Sequence, residues 1–198
     1  MTTAVVKLGI GNTASVMFAP ERLNAPARLT DDPVEIAEAD RVILPGVGAA
    51  AHAMALIDRK GLRNVLKAFH RPLLGICLGQ QLLFERSEEG NAEGLGLLPG
   101  SVTRLPASKR TPSPHMGWAK LSGLARSPLL EGVGEDSYVY FVHSYVCPVD
   151  ESTIATADYG RPFAAMVARG AISGCQFHPE RSGAVGARIL SNFLSLPC

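Results

Sequence analysis

The stretch "PLLGICLGQQLLFE", Pro72 to Glu85, decides how the chain is read. An apolar run ends at a cysteine and turns abruptly polar, with Gly75 and Gly79 two residues either side of Cys77. If the run is a strand and "LGQQLLFE" opens a helix, Gly75 to Gly79 is a G-x-C-x-G turn. That turn is the thiol counterpart of the G-x-S-x-G nucleophile elbow, in which small residues let strand and helix close around a sharp corner. A thiol exposed there stands at the first turn of a helix, where the positive end of the dipole favours the thiolate. The pentapeptide reads equally well as a buried core cysteine, the commoner fate of a free thiol.

Outward from the elbow, the first half alternates strand and helix patterns. "AVVKLGIG" (4–11) reads as a strand, "ASVMFAPERL" (14–23) as a helix and "PARLTD" (26–31) as a weak strand. Asp32-Pro33 caps a short helix over "VEIAEA", and "RVILPG" (41–46) is a near-continuous apolar strand of the kind buried on both faces. A helical zone from Ala49 to Phe69, interrupted at Gly61, leads into the strand that ends at Cys77. This alternation predicts an α/β fold, a mainly parallel central sheet flanked by helices.

Beyond about residue 95 the texture changes. "GSVTRL", "SYVYFVHSYV", "STIATADYG", "PFAAMVARG" and "AISGCQFHP" are short runs separated by turn signals such as Tyr159-Gly160-Arg161 and Arg169-Gly170, as expected of antiparallel additions. "SGAVGARILSNFLSL" (182–196) closes the chain as an amphipathic helix. No repeat or linker divides the sequence, so 1–198 is read as a single domain.

Composition narrows the function. With 198 residues, 46% apolar content and a net charge of +1, the chain can bury a substantial core and presents no basic patch for nucleic acid or membrane. The amino terminus lacks a signal-peptide pattern and no apolar run approaches the length of a bilayer span, so a cytoplasmic protein is expected. The four cysteines form no C-x-x-C pair and the five histidines no metal-ligand spacing, so neither metal nor cofactor is expected.

A cysteine nucleophile needs a base, and "GCQFHPERSG" offers one. Proline restricts its predecessor to extended conformations, so His178 should be strand-like and share a face with Glu180 two residues on. Glu180 can then hold the tautomer of His178 while His178 takes the thiol proton. Alone, the tripeptide reads more readily as a strand-end surface histidine with a solvated carboxylate near the start of the last helix. The third element is Pro45-Gly46-Val47-Gly48, where two glycines can turn N–H groups toward a ligand. With the N–H of Leu78 it could hold the oxyanion formed when a thiolate attacks a carbonyl, or it is an ordinary strand-to-helix turn.

Together and in this order, "LPGVGAA", "GICLGQQ", "SPHMGW", "YFVHSY" and "CQFHPERS" resemble the class I (triad) glutamine amidotransferases. P-G-V-G and H-M-G-W point to the branch formed by the glutaminase subunits of imidazole glycerol phosphate synthase, in histidine biosynthesis. The resemblance runs from "GIGNTASV" to "GARILSNFL". It implies a flavodoxin-like amidotransferase fold, with Cys77 as nucleophile, His178 as base and then acid, and Glu180 as the orienting carboxylate. It also implies oxyanion donors around Gly46, Val47, Gly48 and Leu78, and glutamine contacts at Gln81, Glu89, His143, Ser144 and Tyr145. Glu89 reads equally as one member of the "RSEEG" charge run.

As partner the resemblance implies a cyclase subunit with a TIM-type barrel, in a heterodimer, met through His115, Met116, Gly117 and Trp118. That subunit would make imidazole glycerol phosphate and aminoimidazole carboxamide ribotide. Ala50, Gln80 and Ala119 depart from the family pattern, which leads one to expect an aromatic residue, methionine and asparagine there. The rival readings are a triad glutaminase serving another acceptor, and a flavodoxin-like protein with a redox or hydrolytic cysteine that leaves His178-Pro179-Glu180 unexplained.

Overall fold

The structure, a computed structural model, describes residues 2–10 and 27–198. The helix expected over 14–23 lies outside the described residues. Strands Thr3–Val6 (β1), Ala27–Thr30 (β2), Arg41–Gly46 (β3) and Leu73–Cys77 (β4) stand where the apolar runs place them. Helix Pro33–Glu38 (α1) follows β2, with Asp32 accepting a 2.8 Å hydrogen bond from Val34 N and Pro33 at the first helical position. The helical zone divides into Ala50–Arg59 (α2) and Leu62–Ala68 (α3) because Gly61 adopts φ +69°, a left-handed conformation that no helix continues through.

Strands Thr153–Asp158 (β11), Pro162–Arg169 (β12) and Ile172–Cys175 (β13) complete a seven-stranded sheet in the order β11-β12-β13-β4-β3-β1-β2. Here the structure corrects the sequence reading. "AISGCQFHP", expected as an antiparallel addition, supplies a strand that runs parallel to β4, with Gly174 beside Gly75 and Cys175 beside Ile76. Five strands, β2, β1, β3, β4 and β13, are thus parallel, and only β12 and β11 turn back on their neighbours. The short, half-apolar run carries no mark of its direction. The hairpin that turns at Gly170, with φ +60°, makes β13 antiparallel to β12 as expected, and its insertion between β12 and β4 makes it parallel to β4.

A second correction concerns the helix after Cys77. It spans only Leu78–Leu82 (α4), and Phe84–Ser87 (β5) is already strand. The carbonyls of Leu82, Leu83 and Phe84, which a longer helix would use internally, accept instead from the N–H groups of Leu95, of Leu97 and Leu98, and of Gly96. Ala92–Glu93 (β6), Leu98–Arg104 (β7) and Tyr145–Val146 (β10) build a small sheet with β5. His115–Lys120 (β8) and Tyr138–His143 (β9) form an antiparallel pair, and Gly183–Leu194 (α5) closes the fold.

The strands' period of two divides the apolar residues between two cores. Ala4, Val6, Val42, Leu44 and Leu73 face α1–α4, while Val5, Ile43, Leu74, Ile76 and Cys77 face α5 and the β8–β9 pair. Because β3, β4 and β13 are parallel neighbours, their carboxyl ends meet at one edge, where α/β sheets carry their sites.

Candidate active site

The elbow forms because its glycines permit contacts that no side chain would. A Cβ at Gly75 would lie 2.5 Å from Gly79 O, one at Gly79 would strike Leu44 O, and one at Gly46 would lie 2.9 Å from Gly79 N. Strands β3 and β4 and helix α4 therefore close around Cys77, which takes φ +55° and ψ −111° as the residue before α4. A non-glycine residue in that region is strained, and the packed glycines hold it there.

Cys77 is only 6% exposed, so of the two readings of the pentapeptide the thiol is the sheltered one, yet it stays on a pocket. It lies at a pocket of about 180 Å³ lined by Val47, Gly48, Leu78, Gln81, Glu89, Val142, His143, Ser144, Tyr145 and His178. Its sulfur lies 3.7 Å from Val142 O, to which the S–H donates, and 3.8 Å from Gln176 Nε2. Two larger hollows, of about 510 Å³ beside Thr3 and Arg28 and about 750 Å³ beside Pro128 and Glu131, lie away from Cys77.

His178 enters from the end of β13. Its backbone is extended (φ −96°, ψ 98°), its N–H donates to Tyr140 O at 2.9 Å and its carbonyl accepts from Ser182 Oγ at 2.7 Å. Nδ1 lies 2.8 Å from Glu180 Oε1, so Nδ1–H donates to the carboxylate and Nε2 is left for the pocket. Burial pushes the imidazole's pKa down, but contact with the Cys77 sulfur and the Glu180 carboxylate more than offsets this and raises it to about 10. The imidazolium is thus the form these two neighbours favour.

Behind the pocket, one backbone carbonyl orders a buried polar chain. Tyr145 O accepts from Gln81 Nε2 and from His143 Nδ1, each at 2.9 Å. With Nδ1 donating, His143 Nε2 must accept, and His115 Nδ1 donates to it at 3.1 Å. Both rings are neutral. Burial depresses His115 to about 4, and burial together with the nearby His115 and His178 depresses His143 to about 3.

The structure brings together Cys77, His178 and Glu180, with Val47, Gly48, Leu78, Gln81, Glu89, His143, Ser144 and Tyr145 around the same pocket. Gly46 pairs with Cys77 in the sheet and sits behind the pocket, serving close approach. Gly48, at φ +87° in open space, needs glycine for its backbone conformation. Glu89 is half-buried in the pocket wall and its Oε2 accepts from Ala50 N at 2.8 Å, so it caps α2 as well as facing the pocket. Of the expected partner surface, His115 is a correction. It is buried, stacked on Tyr159 at 3.9 Å and on Phe141 at 5.0 Å, whereas Met116 and Trp118 are 63% and 55% exposed. The strand β8 explains this, since its residues alternate between faces and His115 falls on the inner one.

Sequence reasoning missed Gln176, which is fully buried and touches the sulfur. No local period marks it: β13 ends at Cys175, the chain bends at Gln176 and Phe177, and Glu180 sits in a 3-10 turn, Pro179–Arg181, so a strand face does not run through these positions.

A thiol on a strained elbow, an imidazole oriented by a carboxylate and a pocket at the carboxyl edge of a parallel sheet define a cysteine-nucleophile enzyme on a flavodoxin-like scaffold. The family model of class-I glutamine amidotransferases matches residues 12–196. The chain is 49% identical over 193 residues to the imidazole glycerol phosphate synthase subunit HisH of Xanthomonas euvesicatoria pv. vesicatoria, covering 98% of this chain and 96% of that one. It is equally similar, with the same coverage, to the HisH subunit of Xylella fastidiosa strain Temecula1. The chain belongs to the class-I glutamine amidotransferases and, within them, to the HisH family. Among solved structures, a glutamine amidotransferase has a TM-score of 0.75 at 20% identity, covering 97% of this chain and 96% of that one. The CTPS glutaminase domain of Trypanosoma brucei with bound acivicin has a TM-score of 0.61 at 14% identity, covering 98% and 93%. At these identities the two share its fold.

Among the described residues, no helix is long and apolar enough to cross a membrane. No group of three or more His, Cys, Asp or Glu among them is arranged to hold a metal ion.

Proposed function

We propose that the chain is the glutaminase subunit of an imidazole glycerol phosphate synthase, hydrolysing glutamine at Cys77 and passing ammonia to a cyclase subunit. The observation that carries this reading is the elbow cysteine sharing one pocket with the His178–Glu180 pair, whose Nδ1–Oε1 separation is 2.8 Å. The Cys77 thiolate attacks the side-chain amide carbon of glutamine. Backbone N–H groups of the Gly46–Gly48 loop and of Leu78 receive the oxyanion. Imidazolium His178 gives its proton to the departing nitrogen, the C–N bond breaks, and ammonia leaves with a glutamyl thioester on Cys77. Water activated by neutral His178 then releases glutamate and the thiol. Gln81, the backbone around His143 to Tyr145 and the Glu89 carboxylate hold the substrate, Glu89 toward its α-ammonium.

Ammonia freed in neutral water is mostly protonated and not nucleophilic, so the product must pass directly to its acceptor. The acceptor-binding half is a TIM-type barrel in a 1:1 heterodimer, which makes imidazole glycerol phosphate and aminoimidazole carboxamide ribotide in the cytoplasm. The outer face of β8, with Met116 and Trp118 exposed beside the pocket strand β9, is the docking surface. The Gly46–Gly48 loop rests with an N–H turned from the oxyanion position, and the partner with its nucleotide favours the competent orientation.

The test is ammonia release from glutamine by the chain alone and with the barrel subunit and its nucleotide ligand. We expect slow hydrolysis alone, a rise of orders of magnitude in the complex, and covalent labelling of Cys77 by a glutamine-mimicking electrophile. Full activity in the isolated chain, indifferent to the barrel, would refute the partner assignment.

A further inference from the structure

The sulfur of Cys77 lies between two groups of opposite character. Val142 O, at 3.7 Å, accepts the S–H of the thiol but repels a thiolate, whereas Gln176 Nε2, at 3.8 Å, donates and binds the thiolate better than the thiol. Which end of the Gln176 amide meets the sulfur is settled two residues away. Tyr145 O can only accept, so Gln81 must present its NH2 group there. Gln81 Nε2 also lies 2.9 Å from the Gln176 side chain, which must answer with its oxygen. Gln176 is then left with its NH2 group toward Cys77. Gln176 is fully buried, and its own backbone N–H donates to Ala165 O at 2.9 Å. A backbone carbonyl thus fixes the direction of the whole relay, and rotating the amide would break two hydrogen bonds.

We propose that Gln176 is a further catalytic residue, a neutral donor that holds the Cys77 sulfur in the attacking orientation and stabilises it whenever it carries charge. The sulfur is charged twice in the reaction, as the attacking thiolate and as the leaving group when water cleaves the thioester. In the intermediate its electron pair is committed to the S–C bond and the Gln176 hydrogen bond weakens. The other titratable groups around the sulfur act differently. His178, with Glu180 behind it, exchanges the proton, His143 is neutral, Glu89 lies across the pocket, and burial holds the Cys147 and Cys175 thiols protonated. Gln176 differs from them in presenting an amide N–H to the sulfur at hydrogen-bonding distance, with no change of its own protonation. This inference rests on Cys77 being the nucleophile.

Gln176→Met, close in volume and without a donor, tests it in the full chain by the pH profile of Cys77 alkylation with iodoacetamide. A lost hydrogen bond to a charged group should move the midpoint up by about one pH unit. Because a less stabilised thiolate is also more nucleophilic, alkylation at neutral pH should slow only about threefold. An unchanged midpoint in a folded Gln176→Met chain overturns the proposal. A second measurement needs no variant at Gln176. The side-chain amide resonances of Gln176 in the wild-type chain should move over the pH range in which Cys77 becomes reactive, and should not do so in Cys77→Ala. An amide signal indifferent to the sulfur overturns it as well. Ammonia release surviving in Cys77→Ala would refute the glutaminase reading itself, whereas a Cys77-dependent enzyme whose profile ignores Gln176 refutes this inference alone.

Discussion

The pocket around Cys77 and the outer face of the β8–β9 pair lie side by side but differ in where their contacts end. In the pocket, polar groups close on one another inside the chain: Gln81 on Gln176 and Tyr145 O, His143 on the same carbonyl, and His178 on Glu180. On the outer face, Trp118 meets Tyr140 edge-on at 5.9 Å, Arg181 stacks over Tyr140 at 4.4 Å, and Met116, Trp118 and Tyr138 remain open. The same tetrapeptide, His115 to Trp118, contributes to both, because strand alternation sends His115 inward and its neighbours outward. The pocket's polar groups find their partners within the chain, whereas the outer face leaves large apolar side chains open to solvent.

The sharpest way to break this contrast is to remove the thiol. Cys77→Ala should abolish ammonia release, a loss of about 10⁴-fold or more, because nucleophile and base act as a unit. The melting temperature should shift little, since one sulfur at a pocket wall contributes few contacts. Residual glutaminase activity would sink the mechanism.

Next is the scaffold. At Gly79→Ala the new methyl meets the Leu44 carbonyl, which belongs to a central strand and cannot give way. A destabilisation of about 3 kcal/mol or more is expected by urea unfolding, with activity lost alongside. Gly48→Ala, in open space but at φ +87°, should instead spare the core and depress activity. Equal melting losses for the two would contradict the contacts described.

Within the triad, His178→Ala should lower kcat by about 10³-fold or more, and Glu180→Gln by clearly less, since the substitute amide keeps an oxygen for Nδ1–H while losing the charge. Equal losses would mean that Glu180 does more than orient.

Acid should separate the inner polar chain from the outer face. His115 and His143 have folded values near 4 and 3, below the ordinary 6.5, so the unfolded chain binds more protons between these limits. Stability from their neutral burial is complete above pH 6.5 and drains as pH falls toward 4, by up to about 1.4 kcal/mol per pH unit for each ring. His178 runs the other way. Raised to about 10, it contributes stability below 6.5 that is lost as pH climbs through 10. Chemical denaturation across this range reads both limbs, and a flat acid limb would show that the two rings are not buried neutral.

The smallest effect on the isolated chain should come from Trp118→Ala. With more than half its surface exposed, the ring supports little of the fold, and stability should change by about 0.5 kcal/mol or less. Affinity for the barrel subunit, by calorimetry, should fall at least about tenfold. A stability loss with unchanged affinity would make Trp118 a packing residue and move the docking surface elsewhere.

Local pattern alone determined a good deal of this protein. The parallel alternation of the first half, the Asp32 cap, the break at Gly61 and the glycine-framed elbow are all set by residues a few positions apart, within reach of propensity and sterics. The extended backbone of His178 was legible from the proline after it, but Glu180 meets the imidazole from a 3-10 turn, Pro179–Arg181, and not along the strand face the spacing suggested. What only the tertiary structure decided lies in contacts between distant segments. That β13 runs parallel beside β4, that α4 stops at Leu82, that Cys77 is sheltered, and that His115 turns inward each depend on partners far along the chain. So does the direction of the Gln81–Gln176 relay, where Tyr145 O fixes an amide that touches a sulfur 99 residues away in sequence. Hydrogen-bond polarity passes through space, and no local pattern in a sequence encodes which carbonyl will stand at its end.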